Sequence, residues 1–176
     1  MDKRSPIYIR TATKEDAPHI TDIGRDVFSR TFGHSLEKQD LEDYLNSEYT
    51  IEKIEEVISS PLCQSYVAVD GTEVVGFGKL RKESYEDCIK NLNKPIELWR
   101  LYVSISQHGR GIGAQLIDHL ENLARNQGYE NIWLGVWEEN YVAQKVYKRH
   151  GYVECGVHPF TMGQCVQNDL ILMKKL

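Results

Sequence analysis

The stretch "SQHGRGIGAQLI", residues 106–117, decides how this sequence is interpreted. It places Gly109, Gly111 and Gly113 at alternate positions, directly before apolar residues at helical spacing. Glycine accepts positive φ, so a run of glycines can turn several backbone N–H groups into one concavity. The helix that follows adds its unpaired N–H groups and the positive end of its dipole. This combination predicts a site for phosphate or pyrophosphate, to which Arg110 would add a charge-assisted contact.

Two other interpretations of these glycines stay open. One is a tight connection between a strand and a helix without a ligand, although one glycine usually suffices for a turn. The other is a dinucleotide site, because Gly109-x-Gly111-x-x-Ala114 fits a loose form of that fingerprint. Against it, the motif lies past residue 100, and Glu138 and Glu139 come later than the usual offset of ~20 residues. The sequence contains no GxxxxGK[ST], which excludes a P-loop.

Hydrophobic periodicity outward from this turn separates helices from strands. Helices are expected over residues 14–31, 36–49, 50–60, 109–127 and 139–150. Strands are expected at the start of "IYIRTATKEDA" (7–17), in a hairpin turning at Asp70-Gly71, over 94–105 and 131–137, and in an antiparallel closing pair over 152–158 and 169–176. This order predicts a mixed α/β (α+β) fold whose first half is mostly antiparallel. Since no linker or repeat interrupts it, residues 1–176 are expected to form one domain.

Composition narrows the class of protein. Apolar residues make up 41% of the 176-residue chain and charged residues 27%, as in ordinary soluble domains. The net charge of −5 comes without a basic stripe, which argues against a nucleic-acid partner. No apolar run is long enough for a membrane span, and the N-terminus has no secretion-type apolar run. The four cysteines form no CxxC pair, so we expect reduced thiols, no metal site and a cytoplasmic protein.

The acidic residues are unevenly distributed. Residues 36–60 hold eight acids against two bases, Lys38 and Lys53. Charge runs usually mark a solvated helix face, and that is the favoured interpretation. The alternative is a surface that attracts a cationic partner.

Two longer stretches carry a family resemblance. They are "IELWRLYVSISQHGRGIGAQLI" (96–117) and "GYENIWLGVWEENYVAQKVYKRHGYVECG" (128–156). Their strand, glycine turn, helix and strand, followed by Asn140-x-x-Ala143-x-x-x-Tyr147 and a "GY" pair, resemble the coenzyme-binding half of Gcn5-related N-acetyltransferases (GNAT). The tail "GVHPFTMGQCVQNDLILMKKL" (156–176) is similar to the PaiA-type polyamine acetyltransferases of that family.

The resemblance implies a GNAT fold and an acetyl-CoA site. The fold has about seven mostly antiparallel strands, helices on both faces, and a V-shaped splay between a bulged fourth strand and the fifth. Its coenzyme loop matches His108, Gly109, Arg110, Gly111, Ile112 and Gly113 in this chain. His108 replaces the family's Gln or Arg, which affects a side-chain contact and leaves the backbone cradle intact. The backbone of Leu101, Tyr102 and Val103 would pair with the pantetheine arm, and a free N–H there would polarise the thioester carbonyl.

The resemblance also implies catalytic roles for two residues. Tyr147 occupies the position of the general acid, and Asn140, on the same helix face, would bond to the pantetheine amide. The competing interpretation of Tyr147 is an aromatic core residue. Glu97 is the candidate general base, four residues before Leu101. Period two would place Glu97, Trp99, Leu101 and Val103 on one side of the strand. A strand-end surface carboxylate, or a water chain in place of a base, is the alternative for Glu97.

The expected reaction is acetyl transfer from acetyl-CoA to a primary amine. The acidic helices and the subgroup resemblance favour a polyamine such as spermidine or spermine as the small-molecule acceptor. The alternatives are a protein or peptide amine, a non-catalytic acetyl-CoA-binding module, and a nucleotide-binding oxidoreductase. A homodimer is compatible with the sequence, whereas a nucleic-acid or membrane partner is not expected.

Overall fold

A computed structural model of the protein describes residues 6–176; the first five residues of the N-terminal segment, expected to lack a secretion signal, lie outside it. The helices are α1 (Ala17–Phe32), α2 (Lys38–Glu48), α3 (Ile51–Ser59), α4 (Ile112–Asn126) and α5 (Tyr141–Arg149). The strands are β1 (Ile7–Thr11), β2 (Cys63–Asp70), β3 (Glu73–Arg81), β4 (Pro95–Val103), β5 (Asn131–Trp137), β6 (Val153–Met162) and β7 (Cys165–Lys175). No helix within residues 6–176 is long and apolar enough to cross a membrane.

The seven strands form one sheet in the order β1-β2-β3-β4-β5-β7-β6. All neighbours are antiparallel except β4 and β5, which are parallel. Gly71, with φ of 62°, turns the β2–β3 hairpin at the predicted place. The prediction of a mixed, mostly antiparallel sheet of about seven strands is therefore confirmed.

The parallel pair separates soon after it begins. β4 and β5 pair only where Pro95–Glu97 lies opposite Asn131–Trp133. Beyond that point β4 continues to Val103 and β5 to Trp137 without pairing. This gap is the predicted splay between the fourth and fifth strands.

A bulge at Trp99 changes which side chains share a face of β4. The register to β3 passes from Lys79 opposite Arg100 to Leu80 opposite Leu98, which leaves Trp99 as the extra residue. Leu98 and Leu101 consequently both pack on the side of α4. The predicted common side for Glu97, Trp99, Leu101 and Val103 is therefore wrong, because period two holds only along an unbulged strand.

Helices cover both faces of the sheet, as predicted. On one face, Phe28 of α1 and Ile54 of α3 pack with Val67 and Val69. On the other, α4 packs against residues that include the intervening Ala68. This alternation along β2 is what period two produces when both faces are buried.

The ends of several elements differ from the prediction. α4 begins at Ile112 and not at 109, because Gly109 and Gly111 have φ of 81° and 74°, outside the helical region. The closing strands extend to Met162 and back to Cys165, so they pair well past the predicted limits.

Candidate active site

A cavity of about 1330 Å³ lies where β4 and β5 separate. Its wall consists of the free ends of these strands, the glycine turn, one face of α5, and parts of α1, α2, β6 and β7. The predicted site residues that line it are Glu97, Leu101, Tyr102, Val103, His108, Gly109, Gly111, Ile112, Gly113, Asn140 and Tyr147. The fold thus gathers these residues around one space.

The glycine turn leaves backbone donors open at the cavity. Gly111 is the N-cap residue of α4 and offers no side-chain cap to the first helical N–H groups. A Cβ at Gly109 or Gly111 would meet nothing within 4 Å, so positive φ, and not crowding, requires glycine there. Gly113 lies within α4 and faces Leu101 and Val103. The uncapped N–H groups and the helix dipole make this end of α4 favourable for an anion.

The two polar side chains of the turn are held by the protein. Arg110 donates to Asp70 at 2.7 Å and also bonds to Gln107, which directs its guanidinium to the β2–β3 turn. In this structure the Arg110 guanidinium is therefore not oriented for the predicted contact with a bound phosphate. The His108 ring donates to the Val103 carbonyl at 3.0 Å and ties the turn to the end of β4.

The free edge of β4 exposes the backbone of alternate residues. The Tyr102 carbonyl points toward β3, since it would lie 2.9 Å from a Cβ on Gly76. Backbone groups alternate sides along an extended strand, so those of Leu101 and Val103 face the gap toward β5. Of the three predicted backbone partners, Leu101 and Val103 face the gap, where the Val103 carbonyl accepts from His108, whereas the polar backbone groups of Tyr102 belong to the sheet.

α5 presents its predicted face to the cavity. Asn140 is the N-cap residue, and its side-chain oxygen accepts from Ala143 N–H at 3.2 Å, which leaves its amide NH2 free to donate. Tyr147 packs edge-on against Tyr152, with ring centroids 5.6 Å apart. Burial raises the pKa of the Tyr147 hydroxyl above its usual range, and Tyr102 adds to this shift. The hydroxyl is therefore kept in its proton-donating form.

Glu97 lines the cavity but is not free. Arg81 Nε donates to its Oε2 at 2.6 Å, and the Glu97 side chain is 7% exposed. Leu98 packs toward α4, so Glu97, the residue before it, lies on the opposite face of β4. The ion pair engages one oxygen of the carboxylate that the sequence predicts as the base.

Arg100 anchors the floor of the cavity, a role that the sequence did not suggest. Its guanidinium donates to the hydroxyls of Tyr44 and Tyr49, both at 3.0 Å, and lies 3.3 Å from Glu48. Desolvation on burial opposes its charge, but the surrounding tyrosines more than compensate, and the pKa of Arg100 is raised. Glu48 is the one acid of residues 36–60 that lines the cavity, and five of the other seven are exposed, which agrees with the favoured interpretation of a solvated face; Asp40 and Glu55 are half-buried.

The loop between β3 and β4 closes another side of the cavity. Glu86 pairs with His158 of β6 at 3.1 Å, and both side chains line the space. Cys155 Sγ donates to Cys88 Sγ at 2.9 Å, so two of the four free cysteines meet despite their distance in sequence. Within residues 6–176, no group of three or more potential metal ligands is gathered.

Asp169 is a second residue that sequence reasoning missed. It lies on β7 with Trp137 of β5 and His158 of β6 as register partners, and it lines the cavity. Burial raises the pKa of its carboxyl, and electrostatic interaction with His158 and Arg100 opposes that shift. The one available signal was an acid at the head of the apolar run "DLILMKKL" (169–176), the strand predicted to close the sheet.

Comparisons with known proteins agree with this geometry. Residues 26–152 match the family model described as the acetyltransferase (GNAT) family. An uncharacterized N-acetyltransferase of Lactobacillus delbrueckii subsp. lactis is 31% identical over 171 residues, 97% of this chain and 98% of the relative.

Solved structures share the fold at lower identity. The PaiA N-acetyltransferase of Thermoplasma acidophilum, in complex with coenzyme A, has a TM-score of 0.78 and 22% identity over 97% of this chain and 99% of that one. A protein of Salmonella typhimurium solved with acetyl-CoA has a TM-score of 0.69 and 18% identity over 97% and 94%. By its family match, its relatives and its fold, the chain belongs to the GNAT family and is an N-acetyltransferase.

Proposed function

We propose that this N-acetyltransferase moves an acetyl group from acetyl-CoA to a primary amine by direct attack within the cavity between β4 and β5. The proposal rests on one observation: three features suited to binding the coenzyme line the same cavity. The uncapped start of α4, the free edge of β4 and the hydroxyl-bearing face of α5 all open into it. A ligand with a diphosphate at one end and amides along its length fits that sequence of groups.

Hydrogen-bond donors of the backbone and of Asn140 indicate where the coenzyme would bind. The N–H groups at Gly111–Gly113 would hold the diphosphate, and His108 would stiffen the turn through Val103. The free backbone groups of Leu101 and the N–H of Val103 would pair with the pantetheine arm as an added strand does, while the Val103 carbonyl accepts from His108. The Asn140 amide would donate to the arm from the other side. Arg110 would act through Asp70, as a support for the turn.

Tyr147 is the proposed general acid. Its hydroxyl is protonated at neutral pH, and Tyr147 lines the cavity, so it can donate a proton to the departing thiolate. Glu97, the predicted base, forms an ion pair with Arg81, so a positioning role is better supported for it than proton transfer. The pair holds two charged side chains in the wall of the cavity.

The proposed acceptor is a polyamine such as spermidine or spermine. Phe32 and Trp137, with ring centroids 5.0 Å apart, give the cavity an apolar side along which methylene groups would pack. Glu86 and Asp169 add carboxylates that would attract ammonium groups. The resemblance to PaiA-type enzymes points the same way. A peptide amine and a non-catalytic coenzyme-binding module are the competing functions.

An acceptor panel at fixed acetyl-CoA tests the proposal. Spermidine and spermine should turn over faster than lysine and peptide N-termini. Polyamines no faster than lysine would exclude them as the preferred acceptor, and no turnover with any amine would favour the non-catalytic module. A thermal-shift assay separates coenzymes: acetyl-CoA at 100 times its Kd should add about 2.7 kcal/mol of stability, whereas NAD(H) should add none.

A further inference from the structure

Asp169 stands beside the gap between β4 and β5. It lies opposite Trp137, at the end of the part of β5 that leaves β4 unpaired. A Cβ on Gly135 would lie 3.3 Å from Asp169 Oδ2, so the carboxylate extends over this glycine. Gly135 is exposed to the cavity in the middle of a buried strand. Its missing side chain leaves room for the carboxylate next to the gap.

The other cavity acids all have partners. Glu48 pairs with Arg100, Glu97 with Arg81, and Glu86 with His158. Within residues 6–176, only charges at longer range act on Asp169, and neither an ion pair nor a hydrogen bond engages its carboxylate. An unengaged, half-buried carboxylate in a binding cavity is available to take a proton.

We propose that Asp169 is the base that accepts the proton of the incoming ammonium group. This inference rests on the proposed acetyl transfer to an amine. Asp169 takes one N–H proton and later releases it to solvent. The freed nitrogen lone pair forms the bond to the acetyl carbonyl carbon, and the carbon–sulfur bond breaks. The sulfur takes the Tyr147 proton, and Tyr147 recovers one from the nitrogen. The sum is an ammonium and acetyl-CoA giving an amide, CoA–SH and one proton.

The pH dependence is set by the groups around Asp169. His158 and Arg100 lower its pKa, Glu138 and Glu86 raise it, and burial raises it most. A base must be deprotonated to act. The rate should therefore rise with pH through the raised pKa of Asp169, and this acid limb should disappear when the carboxylate is removed.

The main test compares Asp169→Asn with wild type on two kinds of acceptor. With saturating spermidine at neutral pH, kcat should fall at least ~100-fold, the usual minimum for a general base, while the KM for acetyl-CoA stays within about twofold; a loss confined to the KM for spermidine would make Asp169 a binding residue only. With trifluoroethylamine, whose amine is uncharged at neutral pH, the loss should shrink to less than about tenfold because no proton must leave before attack. A merely structural defect would reduce both rates alike. Glu154→Gln, which neutralises an exposed carboxylate on β6, is the matched control and should retain full activity.

A second variant keeps the carboxylate but moves it. Gly135→Ala places a methyl group against Asp169 Oδ2 and should lower kcat with spermidine about tenfold, provided circular dichroism shows a native fold. The inference is overturned if Asp169→Asn stays within twofold of wild type, or if both acceptors lose equally. It is also overturned if Glu97→Gln shows the acceptor-dependent loss in its place. Wild-type protein that acetylates no amine would instead overturn the proposed function itself.

Discussion

Gly111 meets two demands at once, one conformational and one for binding. Its φ of 74° excludes most side chains, and it is the residue from which the uncapped N–H groups of α4 begin. We expect Gly111→Ala to cost about 1 kcal/mol of stability, because an L-residue is strained at positive φ. The KM for acetyl-CoA should also rise roughly tenfold, the equivalent of about one charge-assisted hydrogen bond.

Gly128 supplies the matched control for this change. It lies just beyond the other end of α4, has φ of 83°, and a Cβ there would also meet nothing within 4 Å. Gly128→Ala should therefore lower the melting temperature about as much as Gly111→Ala and leave the KM unchanged. Equal KM values for acetyl-CoA in the two variants would show that the glycine turn does not contribute to coenzyme binding.

Tyr147 can be tested against another tyrosine of the same helix. Tyr147→Phe keeps the ring that packs on Tyr152 and removes the acidic hydroxyl. Loss of general-acid catalysis should lower kcat by ~100-fold or more with little change in the KM for acetyl-CoA. Tyr141→Phe, at an exposed position of α5, should be neutral. A Tyr147→Phe rate within about twofold of wild type would make Tyr147 a packing residue, the competing interpretation from the sequence.

At the scale of elements, Arg100 links α2 to β4. Arg100→Met would leave Glu48 and the hydroxyls of Tyr44 and Tyr49 without their donor at the floor of the cavity. Breaking a buried pair typically costs 3–5 kcal/mol. Because the Glu48 side chain is 31% exposed, we expect about 2–3 kcal/mol in the free energy of unfolding, measured by urea denaturation.

An exposed ion pair on α1 provides the reference for that measurement. Arg30 and Asp26 lie 2.8 Å apart with side chains 64% and 49% exposed. Arg30→Met should cost less than about 1 kcal/mol, as surface pairs do. If the two arginine variants unfold at the same urea concentration, Arg100 does not anchor α2 to the sheet.

Elements with one dominant local signal could be predicted from the sequence. The Asp70-Gly71 turn and the apolar run 131–137 lie where the structure has a hairpin and β5. The family resemblance predicted a bulge in the fourth strand, but its position at Trp99 could not be predicted, because nothing in the residue types of β4 marks the extra residue. The bulge changes which β4 side chains share a face of the sheet. It therefore places Glu97 on the opposite face from Leu101, and not on the same face as predicted.

The site was predictable where a motif is contiguous and not where strands assemble it. The glycine turn and the face from Asn140 to Tyr147 are each written within one short segment. Asp169 acquires its place from β5 and β6, which flank β7 only in the folded sheet. Its lack of a direct ion-pair partner is likewise a tertiary property, because Arg100 pairs with Glu48 and His158 with Glu86. Such residues emerge only once strand order is known.

At the scale of the whole molecule, the net charge of −5 and the exposed acids of α2 and α3 give the protein an attractive field for polycations. These acids act at long range, since Glu48 alone among them lines the cavity. Raising ionic strength from about 0.01 M to about 0.15 M shortens the Debye length from about 30 Å to about 8 Å. The kcat/KM for spermidine should then fall about tenfold through KM, while kcat stays constant.

A double variant tests the same field by removing negative charge from α2 at positions that do not line the cavity. Glu42→Gln with Asp43→Asn neutralises two exposed acids of α2. It should lower kcat/KM for spermidine at low salt and flatten its salt dependence, and it should have little effect on a monoamine, which carries less charge for the field to act on. A salt dependence identical to that of wild type would assign the acids to solubility alone, and acceptor choice would then rest on the cavity's own carboxylates.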